Sequence, residues 1–577
     1  MLQLKSEKNQ TLNINLIEKY YENTPSKLEY PEKMIYQHLY ESCLDHPNYI
    51  AYEYFGKKVT YQKFLEQIAE CAKALKKLGV QENEVITICT PNMPEAIIMF
   101  YAINMIGCIA NIIHPLSSEN EILQYLKLSN STRILVIDVS VEKIVHIWQE
   151  TKLMDIIVCT ADNKMKFDKK FLYWLMKGRK MSLPECDMII MWNDFIQKGY
   201  DYHDEYLVKK EALDPAVILY SGGTSGTSKG ILLSNKNFNA LAMQARVMAQ
   251  PNKAGDSILC IMPIFHGFGL GVCIHTTLCI GMKCILIPQF SYKEFKDLIK
   301  KYQPNFLVGV PTLFESLMNS GKFKENDLNC IKNIISGGDT LSPDLKRRLD
   351  AFLKKHGSNA KVRCGYGLTE CTAATCLSIE NETREHCIGI PFPDMTYKIV
   401  AIGTHTEVGP NEDGEICING PTVMLGYLNN EKETIQTLQK HEEDGMIWLH
   451  TGDIGYKDEE GMVFFRQRLK RLIISSGYNV YPSQIESILD KHPAVNCSTV
   501  IGIPHPYKVQ VAKAFIVLNP GYKPNKDTLN EIKSYCEKNI SKFSLPYEYE
   551  FRESLPKTKV GKIAYTELEK EEQEKRS

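Results

Sequence analysis

Apolar residues recur at helical spacing through TYQKFLEQIAECAKALKKLGV, residues 60–80, and Gly79 supplies the stop. Short continuous apolar runs alternate with segments of this kind. EVITICT and RILVIDV lie before residue 160, and PAVILY, DSILCIM, KCILIP, FLVGV and KNIISGG follow between residues 215 and 340. Runs of this length bounded by turn residues predict buried strands. Strands that alternate with helices predict parallel sheets covered on both faces. After residue 390 the pattern shortens to YKIVAI, GEICING and MVFFRQR, separated by turns. Beyond Lys470 a compact unit is expected, with a helix in PSQIESILDKH, a strand in AFIVLN and a final charged helix. The predicted class is α/β. A large N-terminal lobe of parallel and mixed sheets flanked by helices carries a β-rich subdomain and is followed by a small α+β C-terminal domain. The boundary is placed near Leu469–Arg471, giving units 1–469 and 470–577.

Two uncharged stretches test whether the chain spans a membrane. Ala96–Ile113 is interrupted by Asn104, Gly107 and Asn111, and Ser257–Met282 by Pro263 and several glycines. A spanning helix needs about 20 mostly apolar residues without such punctuation, so both read as helix-plus-strand pieces of a buried core. KMKFDKKFLYWLMKGRKM, residues 164–181, interleaves basic and bulky apolar residues. Interfacial segments share that composition, as do solvated connections with one apolar anchor face. Peripheral membrane contact therefore stays open beside a cytoplasmic location.

Composition narrows the picture further. A formal net charge of −1 gives no electrostatic reason to expect a nucleic-acid partner. The 18 cysteines contain no C-x-x-C pair, and many sit in apolar runs. Buried reduced thiols of a cytosolic protein fit better than a disulfide framework or a zinc site. The N-terminus, MLQLKSEKNQ, has no apolar core, so no signal peptide is expected.

The candidate chemistry begins at LYSGGTSGTSKGILLSN, residues 219–235. A glycine-rich loop after an apolar strand, with hydroxyls and Lys229 beside it, suits a phosphate. It lacks the Ser or Thr after lysine that a P-loop requires, because Gly230 follows Lys229. Further motifs follow in order: PIFHGFG with His266, SGGDTL with Gly337, Gly338 and Asp339, and GYGLTE with Gly365, Tyr366, Gly367, Thr369 and Glu370. WLHTGD ends in Asp453, RQRLKRLIISSGYNV carries Arg468 and Lys470, and LPKTKVGKI carries Lys562. Taken singly, His266 reads as a core histidine, Asp453 as a turn residue and Lys562 as a surface charge.

In this order, over about residues 33–565, they resemble the adenylate-forming superfamily of acyl-CoA synthetases, peptide-synthetase adenylation domains and luciferases. The resemblance implies an acid–thiol ligase that uses ATP and Mg²⁺. A carboxylate attacks the α-phosphorus, pyrophosphate leaves, and the acyl-adenylate then meets a thiol. Ser221, Gly222, Gly223, Thr224, Ser225, Gly226 and Lys229 would hold phosphates, with Thr224 and Glu370 toward the metal. Gly337 to Asp339, Gly365 to Gly367 and Thr369 would frame the nucleotide. Asp453 and Arg468 would meet the ribose, and Lys562 would bridge carboxylate and α-phosphate. The catalytic set is then Lys562, Glu370, His266 and Thr224. Lys470 matches the family's hinge, on which a mobile C-terminal domain turns, and Ser475, Ser476 and Gly477 match the side facing coenzyme A. Amino-acid-activating relatives usually carry an aspartate near His266, so a plain carboxylic acid is favoured. SSGYNVYPSQIE looks closest to fatty-acyl-CoA synthetases, which implies a medium- or long-chain fatty acid. Loading of a carrier protein in place of coenzyme A is the alternative, and a silent nucleotide-binding scaffold is the third reading. Oligomeric state is not legible.

Overall fold

The computed structural model describes residues 16–576 except 22–23, 161–183, 185, 222–228, 476–477, 506, 541–543 and 559–561. Its largest sheet has fourteen strands. In spatial order, Ile50–Tyr54, Lys283–Leu286, Ser257–Cys260, Phe306–Gly309, Asn333–Gly337 and Val362–Gly367 run parallel. At Val362–Gly367 the sheet turns antiparallel and continues through Ala374–Leu377 and Cys387–Pro391 to Val463–Arg468, Ile447–Lys457, Gly414–Asn419 and Thr396–Val400. The β-rich part expected after residue 390 is thus hydrogen-bonded onto the parallel sheet. A second sheet of eight strands is centred on Pro215–Ser221, Ile109–Ile112 and Val85–Cys89.

Helices fill the space between the two sheets. All twelve residues of Pro94–Met105 are buried, as a helix apolar on every face requires. Asn235–Met248 packs against strands of both sheets. Buried amides join these layers: Asn104 Nδ2 donates to Asn235 Oδ1 at 2.8 Å, and Ile35 N donates to the same oxygen at 3.2 Å. Local sequence explains the edges of these elements. The helix Tyr61–Lys77 starts where Thr60 accepts from Lys63 N, carries Lys76 and Lys77 in its last turn, and is followed by Gly79 at φ +78°.

The uncharged stretches resolve as helix plus strand. Ala96–Ile113 divides between the helix Pro94–Met105 and the strand Ile109–Ile112. Ser257–Met282 holds the strand Ser257–Cys260, a π-helix over Phe268–Thr276 and the short helix Thr277–Cys279. Among the described residues no helix is long and apolar enough to cross a membrane. The basic and apolar segment 164–181 lies outside the described residues. Every cysteine is free, and most are buried.

Past the 3₁₀ turn Leu469–Arg471, the chain forms a five-stranded sheet around the long pair Val495–His505 and Val509–Leu518. Its two apolar clusters are built only from residues 473–568. The charged helix Tyr565–Arg576 closes it.

One close backbone contact shapes the segment that carries His266. Thr372 is buried at φ +67°, an outlying conformation for a β-branched residue. Its hydroxyl donates to Thr422 O at 2.9 Å. A Cβ at Gly267 would lie 1.9 Å from the Thr372 carbonyl oxygen. Gly267→Ala is therefore expected to cost about 1–3 kcal/mol of stability as one backbone gives way. Urea unfolding measures this, and an unchanged midpoint would mean that the two segments do not meet so closely.

Candidate functional site

Ligands of α/β sheets bind outside the carboxyl ends of parallel strands, and the predicted residues collect there. Gly337 and Gly365 are paired in register at the ends of adjacent parallel strands. Beyond them, Gly338 at φ +78° turns the chain toward Asp339. Tyr366, Gly367 and Thr369 follow on the neighbouring strand, and His266 closes the opposite wall of the same cleft. The cleft has a volume of about 830 Å³ measured out to its open mouth. Its inner part is apolar, running along the π-helix past Val272 to Ala249, Ile280 and Met282. Phe268 and Tyr366 line it, whereas Phe314 is a fully buried core residue and Phe265 packs on the His114 ring at 4.2 Å. Thr276 and Thr277 hydroxyls donate to carbonyls five residues back, at 2.8 and 3.2 Å, and so reinforce the wide helical turn.

The polar rim is organised around Asp453. Strands Ile447–Lys457 and Val463–Arg468 place Asp453 directly opposite Arg468. Arg468 Nε stands 3.0 Å from Asp453 Oδ1 as an ion pair, and Tyr366 Oη donates to Oδ2 at 2.6 Å. The approach of Arg468 lacks hydrogen-bond alignment, so buried Oδ1 has no hydrogen-bond donor among the described residues. It retains accepting capacity for a ligand hydroxyl. Burial pushes the Asp453 carboxyl above its ordinary value, opposed by Arg468 and Tyr366. Arg468 keeps 45% of its side chain exposed, so the rim is open on that side.

Lys562 reaches this cleft from the small domain. Lys562 N donates to Thr558 Oγ1 at 3.1 Å, and Thr558 N donates to Lys562 O at 2.7 Å. A Cβ added to Gly338 would lie 3.8 Å from Lys562 Cε. Desolvation lowers the Lys562 ammonium from its ordinary value, and Asp339 acts against that. Solvent reaches Asp339, yet the walls of the cleft crowd it. This desolvation raises its carboxyl while Lys562 pulls it down. His266 is lowered to about 4, first by burial and then by Lys562. It is neutral near pH 7. Its Nδ1 accepts from Phe268 N at 3.2 Å, so the ring proton resides on Nε2.

Glu370 stands in the 3₁₀ turn Thr369–Cys371, where Tyr427 Oη donates to its Oε1 at 3.1 Å. Lys229 pairs with Glu433 and lies over the Tyr427 ring at 5.0 Å from its centre. The phosphate-side lysine and the candidate metal carboxylate are therefore joined through one tyrosine. A single half-buried carboxylate, with one oxygen uncommitted among the described residues, fits Mg²⁺, which takes one or two protein carboxylates and fills its shell with phosphates and water. Ser221 and Lys229 are paired at the end of their hairpin. Gly222, Gly223, Thr224, Ser225 and Gly226 between them lie outside the described residues, as do Ser476 and Gly477. Ser475 is a strand residue paired with Tyr478, and Lys470 is in the turn between the lobes.

The chain matches the AMP-binding enzyme model over residues 39–428 and the AMP-binding enzyme C-terminal domain over 484–562. It belongs to the AMP-binding enzyme family. It is 31% identical to a long-chain-fatty-acid–CoA ligase of Bacillus subtilis, over 96% of this chain and 97% of that one. To 4-coumarate–CoA ligase 1 of Petroselinum crispum it is 28% identical, over 89% of each. ATP-bound MatB from Rhodopseudomonas palustris superposes with a TM-score of 0.81 at 23% identity, covering 94% of this chain and 99% of that one. The fold and the relatives are those of AMP-forming acid–CoA ligases, which bears out the resemblance read from the motifs.

Within this AMP-binding enzyme, the sequence reading passed over Tyr427 and Glu433. The only signal was a tyrosine and an acidic pair shortly after a glycine, which fits many turns. It also did not foresee the π-helix, because FGLGVCIHT is apolar on all faces and carries no period.

The His266 shift has a sign that can be tested. Its folded value of about 4 lies below the ordinary 6.5, so between those values the unfolded chain binds the extra proton. Stability contributed by the neutral ring is full above pH 6.5 and is lost as pH falls toward 4. His266→Gln should therefore show a shallower fall in unfolding free energy between pH 6.5 and 4.5 than the wild type. Equal slopes would mean that the ring is freely protonated in the fold.

Proposed function

We propose that this acid–CoA ligase acts on a medium- or long-chain fatty acid through an acyl-adenylate, with release of AMP and pyrophosphate. The apolar inner arm of the cleft, from His266 and Gly338 to Ile280 and Met282, carries this reading. Its apolar depth suits a hydrocarbon tail with the carboxylate at the His266 end.

The residues then divide the work. Asp453 accepts from the ribose hydroxyls, and Arg468, ion-paired at its Oδ1, offsets its charge. Lys562 is aimed where carboxylate and α-phosphate meet, so it stabilises charge as the acyl–phosphate bond forms and pyrophosphate departs. A desolvated ammonium is stronger in that role than one in water. His266 donates from Nε2 without adding a charge. Glu370, steadied by Tyr427, would hold Mg²⁺, which would neutralise phosphate oxygens. Coenzyme A would then attack the acyl carbon through its thiolate and expel AMP. Lys470 would let the small domain turn between the two steps.

An acid panel from short to long chain, with ATP and scored for pyrophosphate release with and without coenzyme A, tests the substrate. The expected optimum lies at medium or long chains, with acyl-CoA and AMP as products. ADP would sink the adenylate route, and turnover only with an added carrier protein would favour carrier loading. The division of labour is tested on half-reactions. Lys562→Ala should lose adenylation by on the order of a hundredfold or more while converting supplied acyl-adenylate and coenzyme A at near the normal rate. Lys470→Pro should adenylate and then stall. Equal losses in both half-reactions for both variants would refute the two-step arrangement.

A further inference from the structure

The antiparallel part of the large sheet carries a cluster of titratable side chains for which the reaction above has no use. His405, His441 and His450 lie together there, with ligand atoms within 4.8 Å of one another. They do not form a metal centre. The His405 and His441 rings stack at 4.2 Å with an interplanar angle of 11°. Lone pairs in two stacked planes cannot converge on one ion, and Lys398 adds a cation beside them.

The hydrogen bonds instead form a chain with one direction. Lys398 Nζ pairs with Asp444 at 2.6 Å and faces His441 Nδ1 at 3.5 Å. An ammonium only donates, so Nδ1 accepts and the His441 proton lies on Nε2. His441 is held near pKa 4 by burial and by Lys398, so it is neutral near pH 7. His441 Nε2 then donates to His450 Nε2 at 2.9 Å. That leaves the His450 proton on Nδ1, which donates to Glu415 Oε2 at 2.9 Å. The other oxygen of Glu415 accepts from Gly452 N at 3.0 Å. Gly452, at φ +67°, sits at a bulge of the strand Ile447–Lys457 immediately before Asp453. Thr451 Oγ1 completes the bulge by donating to Ile416 O at 2.6 Å and accepting from Asp453 N at 3.0 Å.

We propose that His450 is a positioning residue for nucleotide binding: through Glu415 it fixes the bulge at Thr451–Asp453 that presents the Asp453 carboxylate to the cleft. Both oxygens of Glu415 are engaged, one by the imidazole and one by the Gly452 amide. Removing the imidazole frees the carboxylate to rotate, and the Gly452 amide then loses its fixed acceptor. Asp453 takes its direction from that bulge on the backbone side and from Tyr366 Oη on the carboxylate, while its strand partner Arg468 is half exposed and contributes charge without alignment. The effect should therefore fall on ATP binding and leave the bond-making step alone. This inference rests on the assignment of Asp453 to the ribose, and the test separates the two.

The experiment is steady-state kinetics on the full chain with ATP varied and acid and coenzyme A saturating. His450→Leu should raise the KM for ATP on the order of tenfold with kcat within about twofold. His450→Gln can donate an amide N–H to Glu415 and accept from His441, so its KM should stay within about threefold of wild type. A merely structural role would not yield that rescue or that split. An unchanged ATP KM in His450→Leu, or equal impairment in His450→Gln, overturns the proposal. If His450→Leu does not fold, Glu415→Gln tests the same contact, and an unchanged KM for ATP in that variant overturns the proposal equally. Asp453→Asn is measured alongside. If its ATP KM rises while that of His450→Leu does not, only the positioning role fails. If Asp453→Asn leaves ATP KM unchanged, the ribose assignment fails and the proposal with it.

Discussion

The 2.6 Å hydrogen bond from Tyr366 to Asp453 joins two parts of the large sheet that obey different rules. Tyr366 stands at the end of a parallel strand, where the backbone leaves an open crevice. Asp453 stands in the antiparallel continuation, fully buried and facing Arg468 across the ladder. A buried carboxylate is costly unless it is paired. Tyrosine and arginine together hold it at the rim of the cleft. Without this contact the parallel strand ends and the β-rich part would share a sheet but not a site.

Charge balance in the cleft follows from the same constraint. Asp453 and Asp339 are drawn on by Arg468 and by Lys562, and each group is displaced from its ordinary ionisation by a mixture of crowding and partner charge. Lys562 belongs to a domain with its own apolar core, so its presence in the cleft is a matter of how the two lobes are docked. His266 answers by remaining neutral. A second cation at that position would repel the lysine, and burial removes the water that would screen it.

Much of the fold was legible along the chain. Short apolar runs bounded by glycine or proline became strands within a residue or two of where they were expected, as with Val85–Cys89 and Asn333–Gly337. Thr60 and Gly79 bracket their helix because capping and chain reversal are local chemistry. The uncharged stretches were rightly broken into helix and strand, because Gly107, at φ +73°, follows the end of its helix and Pro263 lies between the strand and the π-helix. The motifs were legible as sequence because runs such as GYGLTE are unusually rich in glycine beside polar residues.

What the sequence by itself determined was most of the regular strands and helices, the parallel character of the first sheet and the motifs that carry chemistry. Periodicity, capping and turn propensity act over a few residues and are written in order. Only the tertiary structure decided which groups meet. Glu370 and Tyr427 are separated by 57 residues, and the chain from Lys398 through His441 and His450 to Glu415 crosses four segments. Those pairings depend on strand register, where a shift of one residue would turn Asp453 and His450 to opposite faces from those they occupy. Register is fixed by burial across the whole sheet. No stretch of the sequence contains it.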